Sequence, residues 1–158
     1  MVILFMQYLI IFLISMVPLI ELRGAIPYAI GFKLPLLPSY NICILGNMLP
    51  VPFIFLFARK ILVWGSDKKY IGGFFNWCLK KGERGGKKLQ EKAGRGLYVA
   101  LFLFVGIPLP GTGAWTGTLA ASLLDMDFKK STLAVMCGVV LAGIIMGLVS
   151  GGVFSFIR

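Results

Sequence analysis

The sequence predicts an all-helical integral membrane protein with two inverted repeats, each a re-entrant helical hairpin followed by a transmembrane helix. Three observations favour this class. The 158-residue chain is 58% hydrophobic and only 14% charged, whereas about a quarter of the residues in soluble domains are charged. Several apolar runs approach or exceed the roughly 20 residues that a helix needs to cross a bilayer. Two of the apolar blocks are interrupted by proline and glycine, which end or bend helices.

The first repeat is expected at residues 1–58. Residues 1–20 provide an apolar entering limb, residues 25–37 a returning limb, and residues 40–58 a spanning helix. The break between the limbs reads VPLIELRGAIP. An alternative stays open, because residues 1–20 are long enough to cross the membrane completely, as the first span of an ordinary helix bundle.

The segment 59–95 is predicted to be a basic cytoplasmic connector. It holds eleven Lys and Arg residues and three acids. Loops with an excess of Lys and Arg stay on the cytoplasmic side, and anionic lipid headgroups attract such charges. Within it, residues 70–79 carry aromatic rings, among them Phe74, Phe75 and Trp77, beside Lys80 and Lys81. This pattern is typical of an interfacial helix. Membrane lipids are therefore expected partners, and nucleic acid is not.

The second repeat is expected at residues 96–158. Residues 96–124 are broken at their centre by IPLPGTG. Two prolines and two glycines within 108–113 should end a helix and leave limbs of about a dozen residues. At 1.5 Å per residue, each limb reaches about halfway across a bilayer. A spanning helix is expected within 131–157.

The orientation of the spans makes the two halves inverted. With the connector in the cytoplasm, the span at 40–58 runs inward and the span at 131–157 runs outward. The two broken tips then meet near the midplane, as in transporters built from inverted repeats. The halves also share a short sequence pattern, since Pro18-Leu19 and Gly24-Ala25 in the first correspond to Pro108-Leu109 and Gly113-Ala114 in the second.

Two charges stand in the first tip. Glu21 and Arg23 lie in an otherwise apolar run, and charges at that depth are costly and often mark a pathway. Glu21 is a candidate proton carrier, because burial favours the neutral acid and a passing cation favours the carboxylate. Arg23 is a candidate ligand for an anionic group. The structural alternative is that they neutralise each other, or another partner, as a buried ion pair with a structural role.

The second tip offers backbone groups in place of charges. Gly111, Thr112 and Gly113 can direct N–H groups toward a ligand, and a half-helix beginning near Ala114 would present its positive end to an anion. Trp115 adds a ring to the same region. Elsewhere, Asn47 is polar at membrane depth and either caps a kink at the following prolines or lines the cavity.

Enzymatic chemistry has no candidate residues in this sequence. The chain has no histidine, its three cysteines are dispersed, and no nucleophile–base set or carboxylate dyad is visible. Neither an enzyme nor a metal site or cofactor is expected.

The motifs ELRGAIP, LGNMLPVP and FVGIPLPGTGAWTG together resemble the small multidrug export protein family of prokaryotes, which is similar to the DedA/VTT (SNARE-associated) superfamily. The resemblance implies opposed re-entrant hairpins and transport, with lipid-linked phosphate as the cargo of the DedA relatives. It implies a first-tip site at Glu21, Arg23 and Pro27, and a second-tip site at Pro108, Pro110, Gly111, Thr112 and Gly113. Unlike the DedA pattern, the second tip here carries no arginine.

These observations predict a small, proton-coupled secondary transporter in the prokaryotic cytoplasmic membrane. Its cargo is expected to be an amphipathic or anionic small molecule, or a lipid-linked phosphate. A homodimer is expected, because one copy has few helices with which to enclose a pathway. The alternative function is that of a non-transporting membrane scaffold, assembly or homeostasis protein.

Overall fold

The computed structural model describes residues 2–18, 20–68, 70, 72–77, 80, 94, 96–109 and 111–156. Within these ranges the regular structure is helical and no strand is present, so the predicted all-helical class is confirmed. The central part of the predicted connector, residues 81–93, lies outside the described residues. Residues 72–77 are helical, within the segment predicted as an interfacial helix.

The described residues include seven longer helices, and their bounds are α1 Val2–Met16, α2 Glu21–Gly31, α3 Leu36–Met48, α4 Pro50–Ser66, α5 Gly96–Gly106, α6 Ala114–Leu123 and α7 Phe128–Phe156.

In the described part of the chain, two helical stretches are long and apolar enough to cross a membrane. The first, Leu36–Ser66, has 31 residues and includes α3 and α4, because Leu49 between them keeps helical dihedral angles. The second, Phe128–Gly152, has 25 residues. The first stretch continues eight residues past the predicted end at 58, because residues 59–64 contain no glycine or proline that would interrupt the helix.

The remaining helices are shorter than a bilayer is thick. Helix α1 has 15 residues, and α5 has 11. These lengths correspond to about 22 Å and about 16 Å, against a hydrocarbon core of about 30 Å. Helix α1 ends at Met16 and α2 begins at Glu21, so residues 1–20 do not form the single 20-residue helix that a full span would need.

The two long stretches run antiparallel. Near the start of the first, the Tyr40 hydroxyl donates a 2.9 Å hydrogen bond to the carbonyl of Val140. Further along it, the Phe55 ring lies 5.2 Å from the ring of Phe128, at the start of α7. As the residue number rises in one stretch, the contacted residue number falls in the other.

Helices α1 and α5 each pack closely on one of the long helical stretches. Helix α1 contacts α3, and α5 contacts α7. A Cβ added at Gly46 would lie 2.7 Å from the Phe12 carbonyl oxygen, and one added at Gly138 would lie 2.8 Å from that of Phe102. Small residues at such crossings let two backbones approach, as is common between membrane helices.

Helices α2 and α6 end in the same way. Lys33 and Asp125, which follow them, are left-handed at φ +57° and +55°. The N–H of the next residue then bonds back over five residues, from Leu34 to Ala29 and from Met126 to Ala121, each at 3.0 Å. This is the bonding pattern of a Schellman cap.

The paired turns define a register between the halves. Lys33 and Asp125 are 92 residues apart, as are the first residues of α3 and α7 and the glycines at positions 46 and 138. The same register places Glu21 opposite Gly113, and both have positive φ, at +51° and +142°. The shared Gly-Ala pattern pairs Gly24 with Gly113, which are 89 residues apart and therefore do not follow this spacing of 92.

Candidate functional site

Glu21 lies at the first position of α2 and caps another helix. Its side chain is buried, with 4% of its surface exposed. Oε2 accepts a hydrogen bond from the Ala114 N–H at 3.2 Å, and Oε1 accepts one from the Trp115 N–H at 3.0 Å. These are the first two N–H groups of α6, which have no partner inside their own helix. A carboxylate there also meets the positive end of the helix dipole.

Gly113 is required by the close approach of that carboxylate. A Cβ at this position would lie 2.3 Å from Glu21 Oε2, and the φ of +142° is one that L side chains rarely adopt. The absence of a side chain therefore lets the buried acid reach the N–H groups of α6.

Arg23 binds the C-terminal end of α5, the helix that precedes the second break. Its Nη1 donates to the Leu109 carbonyl at 2.6 Å, and its Nη2 donates to the Val105 carbonyl at 3.1 Å. Nη2 also lies 3.3 Å from the carbonyl of Ile107 and 2.9 Å from Thr112 Oγ1. These carbonyls belong to the last turn of α5 and the chain that leaves it. A cation there complements both the unpaired carbonyls and the negative end of the helix dipole.

Thr112 and Trp115 complete the network around the second break. Thr112 Oγ1 accepts from Arg23 and lies 3.0 Å and 2.8 Å from the carbonyls of Ile107 and Leu109. The Trp115 indole N–H donates to the carbonyl of Met16 at 3.2 Å, the last residue of α1. The first half thus caps both helix ends at the second break, and Trp115 caps the end of α1 in return.

A cavity of about 760 Å³ opens beside this network, between α4 and α6. Its polar end is formed by Glu21, Thr112, Trp115 and Thr116. Glu21 is the one charged residue among the described residues that line the cavity. The rest of the lining is apolar and consists of Pro18, Phe53, Ile54, Phe57, Ala58, Ile61, Leu62, Phe74, Leu119 and Leu123. Among the described residues, the cavity therefore combines an apolar body with a single acid at one end.

The predicted site residues divide into three groups. Glu21, Thr112 and Trp115 line the cavity, and Arg23 and Gly113 contact them without lining it. Of the other residues predicted at the second break, Pro108 is half-buried and Gly111 is exposed with φ +80°. Pro110 lies outside the described residues.

Pro27 and Asn47 lie away from this cavity. Pro27 stands inside α2 and lines a separate cavity of about 300 Å³ with Tyr28, Gly31 and Phe32. Asn47 is buried in α3, and its Oδ1 has no hydrogen-bond partner among the described residues. Among the described residues, Asn47 makes no hydrogen bond that would cap the kink at the prolines of α4. It is also not one of the residues that line the 760 Å³ cavity.

At two places where a bound ligand was expected, the structure has a group of the protein itself. Helix α6 begins at Ala114, as predicted, and its positive end meets an anion, but that anion is the carboxylate of Glu21. Arg23 likewise donates from Nη1 and Nη2 to backbone carbonyls and Thr112, while its buried Nε has no hydrogen-bond partner among the described residues. These contacts support the alternative that the two charges have a structural role. Their partners are the backbone groups at helix ends, with Glu21 at the start of α6 and Arg23 at the end of α5.

The apolar wall of α4 was not part of the sequence-predicted site. Its members are spaced by three or four residues, from Phe53 and Ile54 through Phe57 and Ala58 to Ile61 and Leu62. That spacing marks one face of a helix, but in a membrane protein the same pattern is equally typical of a lipid-facing or packed surface. No group of His, Cys, Asp and Glu in the described part of the chain could hold a metal ion.

The fold and the site together describe a small helical membrane protein with an apolar cavity and a charged helix break. Comparison with protein families agrees with this class. Residues 21–145 match the model of the family described as "Putative small multi-drug export protein", and the chain belongs to that family. The comparisons with curated proteins and with solved structures found no match. The family description and the two apolar stretches both indicate a membrane location, and the description names a transporter rather than an enzyme.

Proposed function

We propose that this protein is a small secondary transporter that moves an amphipathic molecule across the prokaryotic cytoplasmic membrane, coupled to protonation of Glu21. One observation carries the proposal. The buried acid at the polar end of the large cavity is also the group that holds the first turn of α6. A change in its protonation would therefore alter a wall of the cavity.

The cavity favours a particular class of cargo. Its volume of about 760 Å³ lies within the range of about 300–1,000 Å³ that is usual for small-molecule sites. Its walls suit an apolar body, and Glu21 suits a cationic or hydrogen-bond-donating group. Arg23 does not line the cavity, and the positive end of α6 is already occupied by a carboxylate. An amphipathic cation therefore fits better than the anionic molecule or lipid-linked phosphate that the sequence also allows.

Proton coupling would act through the hydrogen bonds of Glu21. The ionised carboxylate accepts two charge-assisted bonds from α6, which are stronger than bonds between neutral groups. Protonation weakens both and removes the charge that faces the helix dipole. The first turn of α6 is then freer to move relative to α2. Cargo and proton would compete for the same carboxylate, which links the binding of one to the release of the other.

The proposed architecture is an inverted repeat of two re-entrant hairpins, α1–α2 and α5–α6. Its support is the common register of 92 residues, the matching left-handed turns, the antiparallel long stretches and the similar glycine crossings. Helix α2 packs on α7, and α6 packs on α4, so each returning limb contacts the long helix of the other half. With the connector at 59–95 in the cytoplasm, the protein would be multi-pass, and two copies would enclose the pathway as a homodimer.

Transport by reconstituted protein tests the proposal. Liposomes containing the full-length chain, with an imposed proton gradient, would be assayed for movement of tetraphenylphosphonium, a lipophilic cation. Gradient-dependent flux is expected for the wild type and at least tenfold less for Glu21→Gln. The matched control is Asp67→Asn, which removes an exposed acid at the end of α4 and should leave the flux unchanged.

The competing function makes a different prediction. A scaffold or assembly protein would show no gradient-dependent flux of tetraphenylphosphonium, of a neutral amphipath or of a lipid phosphate. Flux that is equal in the wild type and Glu21→Gln, with both proteins folded, would contradict the role of this carboxylate. Flux of the lipid phosphate alone would contradict the cationic cargo while retaining transport.

A further inference from the structure

A second cavity, of about 530 Å³, lies beside the last turns of α4. The stretch that ends there, Leu36–Ser66, has 31 residues and would be about 46 Å long, longer than the hydrocarbon core of about 30 Å. Its charged residues, Arg59 and Lys60, therefore belong at the boundary between hydrocarbon and headgroups. With this stretch across a membrane, the cavity would face the lipid phase at the level where phosphate groups lie.

The part of the cavity lining that α4 provides has two basic residues between apolar ones. Phe55, Leu56 and Val63 supply apolar surface, and Arg59 and Lys60 supply positive charge. The ring of Trp64 also lines the cavity and is 62% exposed, as is typical of aromatic residues at a membrane interface. The Lys68 ammonium lies 4.5 Å from the centre of that ring, which brings a further cation to the same end.

One acid already occupies part of this basic surface. The carboxylate of Asp125, in the turn between α6 and α7, pairs with the Arg59 guanidinium. The two side chains are 67% and 39% exposed, and ion pairs at that exposure contribute little net stability. A guanidinium binds a phosphate through the same pair of donors that it offers to a carboxylate. The acid is therefore a displaceable anion, and the other charged side chains among the described residues that line the cavity, Arg59 and Lys60, are positive.

We propose that this cavity binds an anionic phospholipid, with its phosphate on Arg59 and Lys60 in place of the Asp125 carboxylate. An acyl chain would follow the apolar face of Phe55 and Leu56, which precede the two basic residues in α4. The charge of the cavity selects an anionic headgroup, and its position at the end of a spanning stretch selects a lipid. Since the Arg59–Asp125 pair joins α4 to the turn after α6, lipid binding would also release one contact between the two helices that wall the large cavity.

Lipid binding by the full-length protein in detergent, measured by native mass spectrometry, tests this inference. The probes are phosphatidylglycerol and phosphatidylcholine of identical chain length, with inorganic phosphate as competitor. The wild type should retain phosphatidylglycerol preferentially. Arg59→Gln should weaken its binding about two- to fivefold, the range that corresponds to one exposed charge contact.

Asp125→Asn is the decisive variant because it is expected to increase the affinity for phosphatidylglycerol. It removes the competing charge and keeps a residue that tolerates the left-handed backbone at this position, so phosphatidylglycerol should bind about two- to fivefold more tightly. Misfolding cannot produce this gain. Lys129→Gln is the matched control, because it removes an exposed charge near the start of α7 and outside the cavity.

Three results would overturn the inference. One is equal retention of phosphatidylcholine and phosphatidylglycerol by the wild type. Another is a change in Asp125→Asn no larger than in Lys129→Gln. The third is displacement of the lipid by inorganic phosphate at equal concentration, which would identify a phosphate site without lipid selectivity. The inference does not rest on transport, because a protein that carries no cargo would still bind the lipid.

Discussion

Glu21 Oε1 accepts a 3.0 Å hydrogen bond from the backbone N–H of Trp115, 94 residues further along the chain. The contact joins the start of α2 to the start of α6. Arg23, two residues after Glu21, bonds to the carbonyls that end α5. An acid and a base in one helix break thus satisfy the two polar ends of the other break, which would otherwise expose unpaired backbone groups in an apolar environment.

The first prediction concerns the Glu21 cap. Glu21→Ala should lower the free energy of unfolding by about 2–4 kcal/mol, because it leaves two buried N–H groups without their acceptor. Glu21→Gln keeps an acceptor and should cost less, about 1–2 kcal/mol. Thermal unfolding of the purified protein in detergent measures both. Equal midpoints for Glu21→Ala and the wild type would show that water or another group replaces the carboxylate.

A second prediction concerns Gly113. Gly113→Ala should destabilise the protein by at least about 1–3 kcal/mol, because the new Cβ meets the Glu21 carboxylate and the backbone there is unfavourable for L residues. The control is Gly31→Ala, where a Cβ meets nothing within 4 Å. The same thermal assay compares them. A smaller loss at position 113 than at position 31 would argue against the close approach.

The third prediction separates the geometry of Arg23 from its charge. Arg23→Lys keeps a positive charge but cannot reach several acceptors with a planar fork, so it should lose about 1–3 kcal/mol of stability. Arg23→Gln, which also removes the charge opposite the carbonyl ends of α5, should lose more. Unfolding by heat in detergent again serves as the measurement, with Lys129→Gln as an exposed control. Full stability of Arg23→Lys would mean that charge alone suffices.

A fourth prediction concerns the two glycine crossings. Gly46→Ala and Gly138→Ala should both destabilise, since each new Cβ would lie under 3 Å from a backbone carbonyl oxygen of the neighbouring short helix. Gly152→Ala, with open space around it, should be neutral within about 0.5 kcal/mol. Parallel losses at positions 46 and 138 would agree with equivalent roles in the two halves. A loss at only one position would count against that equivalence.

The fifth prediction tests the proposed topology. With the native cysteines replaced, single cysteines at Leu37 and Asp127, both exposed, should react with a membrane-impermeant thiol reagent from opposite sides of sealed vesicles. The reason is that these residues begin the two antiparallel long stretches. Labelling of both from the same side would rule out the inverted repeat.

Some features of the site were predictable from local chemistry. The run of prolines and glycines at 108–113 is incompatible with a continuous helix, and α5 ends at Gly106 while α6 begins at Ala114. The cost of placing Glu21 and Arg23 in an apolar run likewise marked them as residues with specific partners. The register between the halves was harder to predict, because Gly, Ala and Leu recur throughout the chain and can be aligned in several ways.

Composition and helix-breaking residues were enough to determine a helical membrane protein with two interrupted apolar blocks, because hydropathy and backbone freedom are properties of each residue in its own segment. The partners of the charges were decided only by the tertiary structure. Glu21 and Arg23 could equally have met each other, a ligand or solvent. Packing brings them to groups more than 80 residues away, where an acid meets N–H groups and a base meets carbonyls because each helix break leaves both kinds unpaired.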